Sequence, residues 1–231
     1  NGILQWRRYF GGTSNDRSYD AIETLEGDFV IVGSSESQDV DVSNPRGSYD
    51  AWIVKTNSKG DLLWECSIGG SAYDIAHAII ENRKGEYVVL GQSFSQDRDI
   101  EKPLGSSDMF LSILSPSGEL KSSKNIGNKG FDTGKALIER PDGTLILLGH
   151  TAPETLAAEE NFLSNNVFIA HTLPNGNVIK QYKLIGDGLD LGHDITQLEG
   201  GKTIVIGTTE SSSGDYPVSQ GGKDIFLAIW H

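Results

Sequence analysis

Cysteine occurs once in this chain, at Cys66, and methionine once, at Met109. A lone cysteine excludes an internal disulfide framework and reads most simply as a small apolar strand residue. Basic residues are outnumbered 19 to 32, leaving a net charge of -13 that repels phosphate backbones, so nucleic acid is not an expected partner. No apolar run approaches the ~18 residues that span a bilayer, and no transmembrane segment is expected. Convincing amphipathic helices are also missing; only Thr155–Glu160 has the composition for one helical turn. The chain contains no Gly-x-Ser-x-Gly elbow, no His-Glu-x-x-His and no phosphate loop, so no catalytic residue is assigned. A start at Asn1 with no other methionine than Met109 predicts a processed or trimmed product.

What the chain does have is glycine, 28 residues of it, and the glycines are periodic. Gly2, Gly60, Gly118 and Gly176 follow one another at a step of 58 residues. The same step connects Asp16, Asp74, Asp132 and Asp190, then Gly27, Gly85, Gly143 and Gly201, then Gly33, Gly91, Gly149 and Gly207. A fifth series runs Asp50, Asp108, Asn166 and Asp224. Five registers held without an insertion define four tandem copies of one structural unit.

Each copy reads as four short strands. In the second, residues 76–82 turn at Gly85 into 86–94, a polar loop covers 96–108, and 109–115 turn at Gly118 into 119–126. The runs are rich in Val, Ile, Leu and aromatics and are separated by glycine-bearing turns, as antiparallel hairpins require. The expected fold is therefore all-β: a four-bladed β-propeller of antiparallel four-stranded blades, with units 2–59, 60–117, 118–175 and 176–231 forming a single domain. Residues 2–10 match the outermost strand of a unit, and the last unit lacks that strand. Pairing residues 2–10 with the carboxy-terminal strand would close the ring and leave no exposed sheet edge.

The first two copies carry Trp6 and Trp64, then Gly11-Gly12 and Gly69-Gly70, then Asp16 and Asp74, followed by a Gly-bearing turn, a Gly-x-Ser segment, an Asp-rich loop and a closing Asp-aromatic strand. This pattern resembles the propeller repeat of uncharacterised secreted bacterial surface proteins and lipoproteins. The third and fourth copies depart from it: Ser122 and Lys180 replace the tryptophan, and Asn128 and Ile185 break the glycine pairs. The double glycine also resembles kelch repeats, whose remaining motif is missing. The resemblance implies an exported propeller, periplasmic, extracellular or at the cell surface, and implies no reaction.

Residues common to every copy serve the geometry of the unit, and the Asp16 and Asp50 series are read that way. Chemistry is sought where like positions meet at the axis. One such ring holds Tyr19, His77, Lys135 and His193, a candidate ligand-binding channel mouth for an anion or polar ligand. A second holds Glu23, Glu81 and Glu139, with Gln197 in the fourth copy. Three carboxylates crowded together would repel and call for a proton or an axial cation, making them a candidate metal site. Asp39 with Asp41, and Asp97 with Asp99, offer loop oxygens for calcium, although the EF-hand spacing is not met. In the third copy the corresponding loop drops its aspartates and carries Leu156, Phe162 and Leu163, a candidate partner contact. The functional expectation is a non-catalytic binding or interaction propeller with a protein or glycan partner and no required cofactor. The alternatives are a polysaccharide-active hydrolase with its site at the channel mouth, or a purely structural spacer.

Overall fold

The computed structural model describes residues 2–100, 102–152, 164–198, 200–216 and 219–230. Among them the regular structure is entirely strand. The first sheet holds β1 (Asp16–Glu23), β2 (Phe29–Ser35), β3 (Asp50–Thr56) and β4 (Leu62–Ile68). The second holds β5 (Asp74–Glu81), β6 (Tyr87–Ser93), β7 (Asp108–Leu114) and β8 (Leu120–Ile126). The third holds β9 (Asp132–Glu139), β10 (Leu145–Thr151), β11 (Asn166–Thr172) and β12 (Val178–Leu184). The fourth has three strands, β13 (Asp190–Gln197), β14 (Thr203–Thr209) and β15 (Asp224–Trp230). All pairings within a sheet are antiparallel between sequence neighbours, which makes each sheet a meander of the propeller-blade type.

Strand periodicity explains how one short sheet is buried on both sides. Alternate side chains point to opposite faces. In β6, Tyr87 and Val89 meet Val30, Val32, Ala51 and Ile53 of the first sheet. Their neighbours Val88 and Leu90 turn the other way, onto Leu137, Leu145, Leu147 and Phe168 of the third. A third layer packs Ile146, Leu148, Val167 and Ile169 against Ile195, Val205 and Phe226. Each fully buried Val, Leu, Ile or Phe among them contributes on the order of 1.5–3 kcal/mol. The central strands β6 and β7 accordingly read as near-continuous apolar runs, while β1, at the outer end of the stack, is largely exposed.

The recurrent aspartates hold the loops. Asp74 accepts the Gly70 amide at 2.9 Å and the Ser95 hydroxyl at 2.8 Å, and also the Ser93 hydroxyl. Burial pushes this carboxyl up, and the three donors pull it back towards the charged form. Asp16 and Asp190 repeat the arrangement with Ser35 and Ser37, and with Thr209 and Ser211. The Asp50 series closes the turn before the third strand: Asp108 accepts the Leu104 and Gly105 amides at 2.7 and 3.0 Å, and Asp224 the Gln220 amide at 2.7 Å.

The expected ring closure is not formed. Residues 2–10 make no strand and do not pair with β15, whose outer edge has no partner strand among the described residues. They lie instead across the first sheet, with Trp6 edge-on to Phe29 at 5.8 Å and Arg8 3.7 Å from Asp61. First strands of consecutive sheets adjoin one another, β1 on β5, β5 on β9 and β9 on β13. No comparable interface joins the fourth sheet to the first among the described residues. Three packed junctions are thus formed, between the first and second, second and third, and third and fourth sheets, and the expected fourth is missing among the described residues.

Candidate functional site

On each first strand one residue is inserted into the ladder. In β5, Ala76 pairs with Gly91 and Ala78 with Leu90, leaving His77 as the extra residue of a β-bulge. The same shift isolates Tyr19 in β1, Lys135 in β9 and His193 in β13. A bulge bends its strand and re-aims the extra side chain. The periodic glycine opposite is what permits it, since a Cβ at Gly91 would stand 1.9 Å from the Ile75 carbonyl. Tyr19, His77, Lys135 and His193 thereby line one pocket of about 310 Å³, with Asp20 and Asp194 in its wall.

The pocket sets one ammonium and a neutral imidazole between two partly buried inner strands, with the two aspartates in its wall. Lys135 Nζ lies 3.1 Å from His77 Nε2. With the ammonium donating, that nitrogen accepts and the ring proton sits on Nδ1. Burial, with the Lys135 charge adding to it, pushes His77 down to about 3. Burial likewise lowers Lys135. No carboxylate forms an ion pair with Lys135 among the described residues. Tyr19 meets the His77 ring edge-on at 5.0 Å, and His193 Nε2 lies 3.1 Å from Thr208 Oγ1.

One member of the cluster was missed by sequence reasoning. His150, on β10, feels both Lys135 and His193, and burial above all pushes it down to about 4. Its Nδ1 is buried without a hydrogen-bond partner. The signal was present in the repeat: Ser34, Gln92, His150 and Thr208 share one register, on the strand beside the bulge.

Glu23 and Glu81 line one open pocket of about 690 Å³, while Glu81 and Glu139 also engage backbone of the neighbouring sheet. Glu81 accepts the Leu25 amide at 2.8 Å, and Glu139 the Arg83 amide at 3.0 Å, so each clasps the first turn of the preceding sheet. At the third junction the equivalent donor position is Pro141, which has no N–H, and there the acceptor position has become Gln197. Glu23, on the outer sheet, is exposed. Any axial cation would have to compete with these backbone amides for oxygen.

The loop aspartates are similarly committed. Asp39 accepts from the Thr13 amide and hydroxyl, each at 2.8 Å, and Asp97 from the Ser71 amide at 2.7 Å. Asp41 and Asp99 reach the amides of Gly11 and Gly69 at 3.1 and 3.3 Å. A Cβ at Gly70 would stand 2.2 Å from Asp97 Oδ1, which accounts for the glycine pair. In the fourth sheet the roles are exchanged: Asp187 stands at the Thr13 position and accepts the amides of Ser212 and Ser213. Leu156, Phe162 and Leu163 lie outside the described residues. Cys66 is buried, and burial pushes its thiol up to about 12.

Fold and pocket together define an all-β repeat protein of β-propeller type, with bulge residues from consecutive first strands converging on one polar recess. No family model matches the chain, and no curated protein matches it. Among solved structures it is similar to a protein of unknown function from Dyadobacter fermentans, with a TM-score of 0.50 and 12% identity over 85% of this chain. It also aligns with a GH43_12 protein retrieved from a capybara gut metagenome, at a TM-score of 0.49 and 13% identity over 92% of this chain. A third likeness is to the xylan beta-1,4-xylosidase of Bacillus halodurans, at 0.47 and 15% over 95%. The chain spans 63%, 40% and 42% of those three proteins, in that order. At such identities the likeness concerns the fold alone.

Proposed function

We propose that this chain is a non-catalytic binding module of an exported protein, and that its ligand presents a carboxylate to the recess lined by Tyr19, His77, Lys135 and His193. One observation carries the reading: a half-buried ammonium, 3.1 Å from an imidazole that burial keeps neutral, with no carboxylate paired to it among the described residues. A partly desolvated cation without an ion-pair partner is costly, and a ligand carboxylate in direct contact would relieve that cost. Tyr19 at the rim is 44% exposed and offers a flat face suited to a sugar ring, which favours an acidic glycan. Calorimetric titration with oligogalacturonates and with neutral oligosaccharides of equal length tests the proposal. The acidic series should bind, more weakly as salt is raised, and Lys135→Met should lose at least about tenfold in affinity, about 1.4 kcal/mol. Equal affinity for the neutral series, or an unchanged K135M, would reject it.

A hydrolytic reading has Asp20 and Asp194 in the same wall to draw on. Their oxygens are partly spent on backbone: Asp20 takes the amides of Ala21 and Ile79 at 2.8 and 3.0 Å, and Asp194 that of Ile195 at 2.8 Å. Turnover of the same oligosaccharides that is lost in D20N or D194N would favour that reading over simple binding.

A further inference from the structure

Two positions before the bulge, the first strands carry Arg17, Ile75, Thr133 and Leu191, so the first sheet alone places a charge there. Arg17 is exposed and lies on β1 opposite Ser34. Its guanidinium carbon stands 5.8 Å from the centroid of the Tyr49 ring. Interaction with the Tyr19 hydroxyl, more than with those of Tyr49 and Tyr73, holds the guanidinium above its ordinary value. No carboxylate forms an ion pair with Arg17 among the described residues. Glu36 is close enough to feel its charge, but Glu36 Oε2 accepts from Asn15 Nδ2 at 2.7 Å and from the Tyr49 hydroxyl at 2.9 Å. The second of these bonds fixes the ring over which Arg17 lies.

Beyond Arg17 the rings continue. Tyr49 meets Tyr73 at 4.8 Å, and Tyr73 meets Phe94 at 6.3 Å. Backbone bonds hold these positions: the Asp74 amide donates to the Tyr49 carbonyl at 2.8 Å, and the Phe94 amide to the Tyr73 carbonyl at 2.9 Å. The third junction makes the same two bonds with no ring at all, Asp190 donating to Asn165 at 2.8 Å and Glu210 to Leu189 at 3.0 Å. The scaffold therefore asks nothing of these side chains, and their aromatic character in the first two sheets is not needed for packing the junction. Tyr49 and Tyr73 are partly buried, and Phe94 is 36% exposed.

We infer that Arg17, backed by the Tyr49 ring and flanked by Tyr73, is a second anion subsite adjoining the recess, and that the ligand is an acidic oligosaccharide with two or more charged units; this rests on the reading of the recess as a carboxylate site. Tyr19 joins the two subsites. Its hydroxyl interacts with Arg17, its ring meets His77 edge-on at 5.0 Å, and His77 Nε2 lies 3.1 Å from Lys135 Nζ. The two cations differ in kind. Lys135 engages a carboxylate as a point charge, whereas a guanidinium lying over a ring keeps its edge donors for a planar carboxylate, which it meets in a fixed geometry. Tyr73 and Phe94 lead away from Arg17 and supply flat apolar surface for the sugar rings of further units. A single acid would occupy one of the two cations and leave the other, with its rings, unused.

The test is a length series. Calorimetric titration compares galacturonic acid with its dimer and trimer, on the wild type and on Arg17→Gln. The wild type should bind the trimer at least about tenfold more tightly than the monomer, a gain of about 1.4 kcal/mol. R17Q should reduce that ratio to under about threefold, about 0.7 kcal/mol, with its circular dichroism spectrum unchanged. A trimer that binds no more tightly than the monomer overturns the second subsite and leaves the recess reading standing. So does a tenfold ratio that persists in R17Q, because the gain then comes from elsewhere. If no member of the series binds the wild type, both readings fall together. An oligoglutamate of equal charge that binds as tightly as the trimer also overturns the inference, since the surface would then be reading charge on a peptide and not a sugar chain.

Discussion

Acidification should weaken this protein through two imidazoles, and the size of the effect can be worked out. His77 is held at about 3 and His150 at about 4, against an ordinary 6.5. A depressed value in the folded state means that the unfolded chain takes up the proton first. The stability from keeping each ring neutral is therefore complete above pH 6.5 and is lost as pH falls towards the folded value. Each unit of pH in that window costs about 1.4 kcal/mol per ring, so the fall from pH 6.5 to 5 removes about 2 kcal/mol for each. The two figures overlap, because both rings feel Lys135, and together they amount to about 4 kcal/mol at most. Asp132 acts in the opposite sense. Burial raises it to about 6, so its contribution is present at low pH and lost as pH rises through 6. The comparison must therefore be between variants, in which Asp132 cancels. Urea midpoints measured from pH 8 to 5 should fall for the wild type, and His77→Gln should remove about half of the imidazole share while changing stability little at pH 8. If the H77Q/H150Q double variant shows a pH profile parallel to the wild type, the rings are not the buried neutral groups described above.

Two further outcomes test the scaffold. Asp74→Ala leaves three donors, the Gly70 amide and the hydroxyls of Ser93 and Ser95, without their acceptor in a buried loop. Chemical denaturation should report a loss of about 3–5 kcal/mol, and a loss under 1 would mean that water replaces the carboxylate at no cost. The inter-sheet clasp can be transplanted to the junction that lacks it. Pro141→Ala restores an amide and Gln197→Glu a carboxylate, and a double-mutant cycle should give a favourable coupling of about 1 kcal/mol at neutral pH. Additive single effects would show that the clasp seen at Glu81 and Glu139 does not stabilise the junction.

Much of the fold was legible because the chain carries its own internal alignment. The step of 58 located the strands to within two residues in the second copy, since glycine turns and apolar runs recur in phase. The register also grouped Tyr19, His77, Lys135 and His193, which the structure gathers into one recess. What the register could not convey was the bulge. A two-residue period assigns each side chain to one face or the other, and an inserted residue belongs to neither. The glutamates show a related limit. Their recurrence suggested a shared level at the axis, but a carboxylate reaching a neighbouring turn leaves the same periodic trace as one reaching a metal. Only the loss of the donor at Pro141 together with the loss of charge at Gln197 separates the two, and that correlation has meaning once the contact is known.

Paired departures from the repeat are therefore more informative than the repeat itself. Asp187 with Ser213 reverses the pairing of Thr13 with Asp39, keeping the bond while exchanging donor and acceptor. Asn128 replaces a glycine in the copy whose loop carries Thr155 in place of the aspartate that crowds Gly70. Compensated changes of this kind mark bonds that tie the segment before a sheet to the loop after its second strand, whatever the residues. The inner-strand bulges behave in the opposite way. Tyr19, His77, Lys135 and His193 differ in shape and charge without any compensating change in the glycines opposite, so the backbone tolerates all four. A position that the scaffold holds open but does not specify is free to take its identity from whatever enters the recess, and the cation at Lys135 is the part of that identity with the greatest cost when left unpaired.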